Sequence, residues 1–281
     1  MRRSFLLVAA IVVFWGSAAG AQDVDGVQFF PVVARTAGVG TSQWVSDLTV
    51  NNLLGEEVTV GIQFFPENQA NSFDPSFPDR FQLGPRETLV IDDVLATVFG
   101  YDTNIKGALV VSVDEGMIEG NPEEARIIAV TRTYNTADPA GTYGQTVPAL
   151  EADTVTVAPL VATGARNDGQ FRSNVGLVSL ALFEEIRVHF RVLGPDGAEI
   201  ATGIRTLPPA TIRQFSLDQL GVGTVAGAMT VELWLDEDSV SDDPCADFAN
   251  TLMGYVSKVD NGTGDAEFLY AAPTEDFDCP D

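Results

Sequence analysis

The sequence predicts an all-β protein built as two tandem antiparallel β-sandwich domains related by internal duplication. Three observations predict it. Short segments recur in the same order along the chain. Apolar and polar residues alternate at period two through many short runs, as half-buried strands require. Turn-forming residues separate those runs about every eight to twelve positions, which is the spacing of a sandwich.

The recurrence begins with VQFFPVVA (27–34), echoed by VTVAPLVA (155–162) at a separation of 128 residues. WVSDLTV (44–50) is echoed by FRSNVGL (171–177), GALVV (107–111) by GAMTV (227–231), and TRTYN (131–135) by SKVDN (257–261). Each pair is weak alone. Four in one order, with drifts that loop insertions explain, predict a duplication. The expected organisation is a signal peptide over 1–21, a first sandwich over 22–150 and a second over 151–281.

The N-terminal segment reads as a secretory signal. Arg2 and Arg3 give a basic start, Phe5 to Trp15 form an apolar run of 11 residues, and Ala19-Gly20-Ala21 closes it. That run falls short of the ~20 residues that span a bilayer. No membrane span is expected once it is removed.

After the first strand, EVTVGIQFF (57–65) places Val58, Val60, Ile62 and Phe64 on one face. In the second copy, EIRVHFRV (185–192) places Ile186, Val188, Phe190 and Val192 inward and Glu185, Arg187, His189 and Arg191 outward. Further strands are expected near 44–51, 79–83, 87–91, 106–113, 126–134 and 143–148. The second copy repeats them near 171–179, 198–206, 210–216, 226–234, 251–259 and 266–271. Gly38-Val39-Gly40, Asn51-Asn52, Pro195-Asp196-Gly197 and Asn261-Gly262 supply turns. Each copy also carries one expected helical turn. IDDVLATVFG (91–100) has Asp92 or Asp93 as N-cap, and SLDQLG (216–221) has Ser216.

Charge bounds the partners. With 40 acidic and 15 basic residues, the formal net charge is −25. Phosphates are repelled by such a chain, so nucleic acid and anionic membrane are not expected partners. Cys245 and Cys279 are the only cysteines, and in an exported chain an isolated pair is expected to form a disulfide. Closing that loop would stabilise by roughly 3–4 kcal/mol.

Few residues point to chemistry. His189 is the only histidine; it lies on a polar strand face and reads as a solvated surface residue. A lone histidine leaves no second imidazole for a metal or relay site. The sequence contains no nucleophile elbow, Walker loop, dinucleotide fingerprint or zincin motif. Acids are too common for any carboxylate pair to be informative about glycoside hydrolysis, and only Trp44 and Trp234 follow the signal. The acidic loop DEDSVSDD (236–243) offers Asp236, Asp238, Asp242 and Asp243 as candidate Ca²⁺ ligands by donor type, without EF-hand spacing; in a chain this acidic, a charge run is usually just a solvated loop. The insertion FPENQANSFDPSFPDR (65–80) carries Phe73 and Phe77, a candidate ligand-contact loop or a local lid on the sandwich. Ser46 and Asp47 match Ser173 and Asn174 after an aromatic, with Trp44 and Phe171 expected in equivalent core positions. Arg132 and Tyr134 lie in a strand, turn and return strand, where Arg132 is expected to pair with an acid across the sheet.

The combination F-P-V-V-A-R, W-V-S-D-L-T-V-N and R-T-Y-N with G-T-Y-G-Q resembles a group of uncharacterised secreted bacterial proteins. These carry paired immunoglobulin-like or fibronectin-like sandwich modules. The resemblance covers most of the chain after the signal. It implies fold and export and offers no catalytic residues. The second copy departs from it, with K-V-D-N where the first has R-T-Y-N. The expected function is therefore a non-enzymatic structural or adhesion-type protein of the cell surface or extracellular space, meeting an unidentified protein or glycan. The alternative is a carbohydrate- or Ca²⁺-binding module, and a carboxylate-based hydrolase is a weaker third.

Overall fold

The computed structural model describes residues 27–74, 77–113, 127–137, 139, 141–149, 157–181, 183–241 and 250–274. The signal segment, Asp242, Asp243, Cys245, Cys279 and the expected boundary between residues 150 and 151 lie outside them. Period-two runs become strands almost where alternation places them. The first half holds β1 (Val27–Ala37), β2 (Gln43–Asn52), β3 (Val58–Pro66), β4 (Asp79–Leu83) and β5 (Thr88–Ile91). The one-turn helix α1 (Val94–Thr97) follows, then β6 (Ile105–Val113), β7 (Ile127–Asn135) and β8 (Gly144–Pro148). The second half holds β9 (Leu160–Asn167), β10 (Phe171–Ser179), β11 (Ile186–Leu193), β12 (Glu199–Leu207) and β13 (Ile212–Ser216). A 3₁₀ turn (Asp218–Leu220), β14 (Val225–Leu235), a second 3₁₀ turn (Glu237–Ser239), β15 (Leu252–Asp260), β16 (Ala266–Tyr270) and β17 (Ala272–Pro273) complete it.

The strands form antiparallel sheets. In the first half one layer runs β4-β3-β6-β1, and β2 pairs with both β5 and β7, with β8 beyond β7. β1 belongs to both layers: Val27 to Arg35 pair with β6, while Thr36 and Ala37 face Trp44 and Gln43 of β2. Its register shifts between Phe30 and Val33, where Pro31 has no N–H to give a ladder. In the second half the layers run β12-β11-β14-β9-β17 and β13-β10-β15-β16. The two halves share most of one pairing scheme; among the described residues, β1–β2 in the first and β9–β17 in the second have no counterpart. The pairs β1–β6, β2–β5, β2–β7, β3–β4, β3–β6 and β7–β8 correspond in order to β9–β14, β10–β13, β10–β15, β11–β12, β11–β14 and β15–β16.

Two compact units result. Described residues of 27–65, 74–142 and 146–149 form the first; those of 66–73, 143–145 and 157–274 form the second. Each buries its own core. Phe30, Leu48, Ile62, Leu109 and Ile127 lie in the first, and Leu160, Leu177, Ile186, Phe190 and Leu233 in the second. Burying such side chains is worth about 1.5–3 kcal/mol each, which outweighs the small differences of intrinsic strand propensity. The inward row of β11 is buried as expected, with Arg187 and Arg191 exposed. In β3 the inward row ends before Phe64, which is half-buried against Phe99 and Tyr101.

Buried polar side chains tie strands together in both units. Ser46 accepts the Ala34 N–H at 2.8 Å and meets the Thr133 hydroxyl at 2.7 Å; its counterpart Ser173 accepts the Arg166 N–H at 2.9 Å. Trp44 and Phe171, at the starts of β2 and β10, are half-buried and stand outside both core clusters, so the expected core positions are not taken. The Pro195-Asp196-Gly197 turn forms, with Gly197 at φ 79° and Gly194 N–H bonded to the Ala198 carbonyl at 2.8 Å. Ser216 accepts the Gln219 N–H while Gln219 Oε1 accepts the Ser216 N–H, a capping box. Asp93 flanks α1 in a left-handed conformation and its side chain caps nothing.

Candidate functional site

Outward residues of β11 and β14 meet because the two strands are neighbours. In register, His189 faces Trp234 and Arg191 faces Glu232. The imidazole and indole stack at 5.3 Å with 6° between planes. His189 Nε2 bonds the Asp236 carboxylate at 2.8 Å, and Arg187 approaches the same carboxylate at 3.4 Å. Asp236 also accepts the Asp238 N–H, which starts the second 3₁₀ turn. The His189 bond, followed by these other donors, holds the Asp236 carboxyl below the usual carboxylate range. His189 is therefore no simple solvated residue: it braces Trp234 and is itself braced by Asp236.

Arg191 and Glu232 form an ion pair at 2.5 Å, with the guanidinium 5.8 Å from the Trp234 ring. Beyond Trp234 lies a shallow groove of about 360 Å³ bounded by Pro159, Val161, Arg191, Glu232, Trp234 and Thr274. It combines one aromatic wall, one ion pair and apolar edges. Nothing in the 189–234 spacing announces it; only the β11–β14 register brings these residues together.

A second polar cluster sits on the first unit. Asp47 faces Arg132 in the β2–β7 register, but the guanidinium donates to the Thr142 carbonyl at 2.6 Å and its hydroxyl at 3.1 Å in place of the expected cross-strand ion pair. Asp47 Oδ1 accepts the Asp93 N–H at 2.8 Å and the Tyr134 hydroxyl at 3.2 Å. Desolvation raises the Asp47 carboxyl, with Asp92 adding to it and Tyr134 and Arg132 opposing. Desolvation, then the Asp47 charge, also raises the Tyr134 phenol. Arg35 pairs with Asp93 and donates to the Asp102 carbonyl at 2.5 Å. These bonds fasten α1 and the β7 end to β2, which is scaffolding. In the second unit Asn174 faces Ser257 and Ser216, so no charge cluster is repeated there.

The remaining sequence candidates separate. Phe77 is buried, at φ 42°, directly over Gly61, where an added Cβ would meet its own Cβ at 2.4 Å. Burial of the ring offsets a backbone conformation that bulky residues seldom adopt. Phe73 is half-buried. In the same segment Asn71 Nδ2 donates to the Ala210 carbonyl at 2.9 Å and Arg213 to Asn68 at 3.1 Å, which is why 66–73 groups with the second unit. Among the described residues no group of three or more metal-ligating side chains is assembled, and no helix is long and apolar enough to cross a membrane.

No protein-family model matches the chain, and no curated protein matches it in sequence. Among solved structures, a Bacteroides uniformis beta-glucuronidase 2, covalently bound to cyclophellitol-6-carboxylate aziridine, aligns at 12% identity with a TM-score of 0.18. The alignment covers 89% of this chain and 26% of that one. A likeness this slight carries no argument about fold or function.

Proposed function

We propose that the protein is an exported, non-enzymatic β-sandwich protein of structural or adhesive type, acting at the cell surface or outside the cell. The shared pairing scheme of the two units supports this reading most directly. A repeated pairing scheme multiplies surface, and several of its buried polar groups serve the scaffold itself. Ser46, Ser173 and Gln28 each bond backbone groups, and Ser46 also meets the Thr133 hydroxyl of a neighbouring strand. The basic, apolar and small-residue order of residues 1–21 supports export, and the acidic balance supports solubility without nucleic-acid binding.

Cell fractionation with N-terminal sequencing tests the first half: a mature chain starting at Gln22 outside the cytoplasm is expected, and an intact cytoplasmic chain would overturn it. Incubation with polysaccharide, ester and peptide substrates tests the second. Turnover abolished by a single Asp or Glu substitution would overturn the non-enzymatic reading.

The alternative reading, a carbohydrate- or Ca²⁺-binding module, draws its support from the groove beside Trp234 and from Asp236 and Asp238. A melting temperature unchanged by Ca²⁺ removes the cation from it.

A further inference from the structure

We propose that the groove beside Trp234 binds a neutral sugar ring within a polysaccharide, which deepens the surface-protein reading and rests on it. Strand order decides what surrounds the indole. β14 lies between β11 and β9. His189, on β11, stacks on one face of Trp234. The groove takes its far walls from Pro159, Val161 and Thr274, on the β9 and β17 side. The indole is thus covered on one face by His189, while Trp234 also lines the groove together with Arg191 and the β9 and β17 residues.

An indole lining a groove offers a flat apolar surface that suits the C–H face of a pyranose, since its π-face is electron-rich. Beside it, Arg191 supplies donors only and Glu232 acceptors only. Neighbouring sugar hydroxyls donate and accept, so one pair of hydroxyls satisfies both residues. Their side chains are 44% and 21% exposed, within reach of a ligand. At about 360 Å³, the groove lies near the lower end of the roughly 300–1,000 Å³ range of small-molecule sites. Its openness suits one ring of a longer chain.

Charge selects against anionic glycans. The Arg191–Glu232 pair is internally neutral, and the chain carries −25 overall, so uronate or sulfate polymers are repelled. A polyproline peptide fits less well, because aromatic-lined grooves for that helix use more than one ring, and this groove has one.

Calorimetry and tryptophan emission on the full mature chain test the proposal, with neutral gluco-, manno- and xylo-hexasaccharides as probes. Oligogalacturonate and a polyproline peptide serve as competitors. At least one neutral hexasaccharide is expected to bind and to perturb emission. Trp234→Ala is expected to weaken binding about tenfold or more, as loss of a central aromatic anchor does; Trp44→Phe is expected to leave it unchanged. Glu232→Gln, at a partly exposed position, is expected to weaken binding with native melting, and carries the test if Trp234→Ala misfolds. The proposal falls if no neutral hexasaccharide binds, if only the anionic oligomer or the peptide binds, or if folded Trp234→Ala and Glu232→Gln both keep full affinity. A hexasaccharide that binds and is cleaved would leave the groove standing and overturn the non-enzymatic reading instead.

Discussion

Replacing Asn52 by alanine should damage the first unit far more than the same change at its neighbour Asn51. Asn52 is fully buried at the end of β2. Its Nδ2 donates to the carbonyls of Glu56 at 2.7 Å, Gly84 at 2.9 Å and Leu83 at 3.3 Å. Its Oδ1 accepts the Leu54 N–H at 2.8 Å. One side chain therefore closes both the turn after β2 and the turn between β4 and β5. Alanine removes all four bonds and leaves backbone groups without partners where water reaches poorly. An orphaned buried group costs about 1–3 kcal/mol; with one or two such groups left dry, about 2–4 kcal/mol is expected. For a unit of this size each kcal/mol shifts melting by about 3–5 °C, so the transition should fall by roughly 6–20 °C. Asn51 also bonds, to Thr88 Oγ1 at 2.7 Å and the Glu87 carbonyl at 3.2 Å, but on the exposed side, where water replaces lost partners. Asn51→Ala is expected to cost under ~1 kcal/mol. Differential scanning calorimetry of both variants decides it. Equal shifts, or a shift below about 2 °C for Asn52→Ala, would refute the reasoning.

Other expectations follow from particular contacts. A Cβ at Gly176 would lie 2.0 Å from the Tyr255 ring, and Tyr255 is fully buried; Gly176→Ala is expected to cost about 1–3 kcal/mol by overpacking, whereas Gly169→Ala, with open space around it, should not, and urea titration compares the two. Asp168 is held below its ordinary value by the Phe171 and Gln170 N–H groups and Arg166, and Asp260 by the Thr263 and Gly262 N–H groups. A depressed carboxyl contributes stability above its unfolded value, so that contribution should be complete at neutral pH and lost as pH falls below about 4; Asp260→Ala should flatten the acid limb of a melting-temperature profile. Asp47 is shifted the other way, so ionising it disfavours the fold. Asp47→Asn keeps the acceptor oxygen and is expected to melt no lower than the parent at pH 7, with any advantage shrinking in acid; a large loss at pH 7 would contradict the sign. Non-reduced mass spectrometry should find no alkylatable thiol at Cys245 or Cys279, and two alkylatable thiols would disprove the expected disulfide.

Alternation made the strands legible because it is local. In β11 the row Ile186, Val188, Phe190 and Val192 carries its own face assignment, whatever lies beside it. Turn chemistry was local as well, as at Pro195-Asp196-Gly197 and the Ser216–Gln219 box. Neither signal says which strand is the neighbour. The four echoes aligned Asn135 with Asn261, yet Trp44 faces Asn135 and Phe171 faces Asp260, so the structural match is one residue earlier. His189 read as a lone surface residue because its partners, Trp234 and Asp236, lie more than forty positions away.

By itself, then, the sequence determined the all-β class, nearly every strand and two of the three described helical turns, because those depend on side-chain period and on residues a few positions apart. Tertiary structure alone decided that Phe77 closes over Gly61, that Asp47 bonds Tyr134 and faces Arg132, and that Trp234 both stacks on His189 and lines a groove. Each of these is set by sheet order and register. A strand's face pattern is compatible with many neighbours, and the choice among them is made by the packing of the whole unit.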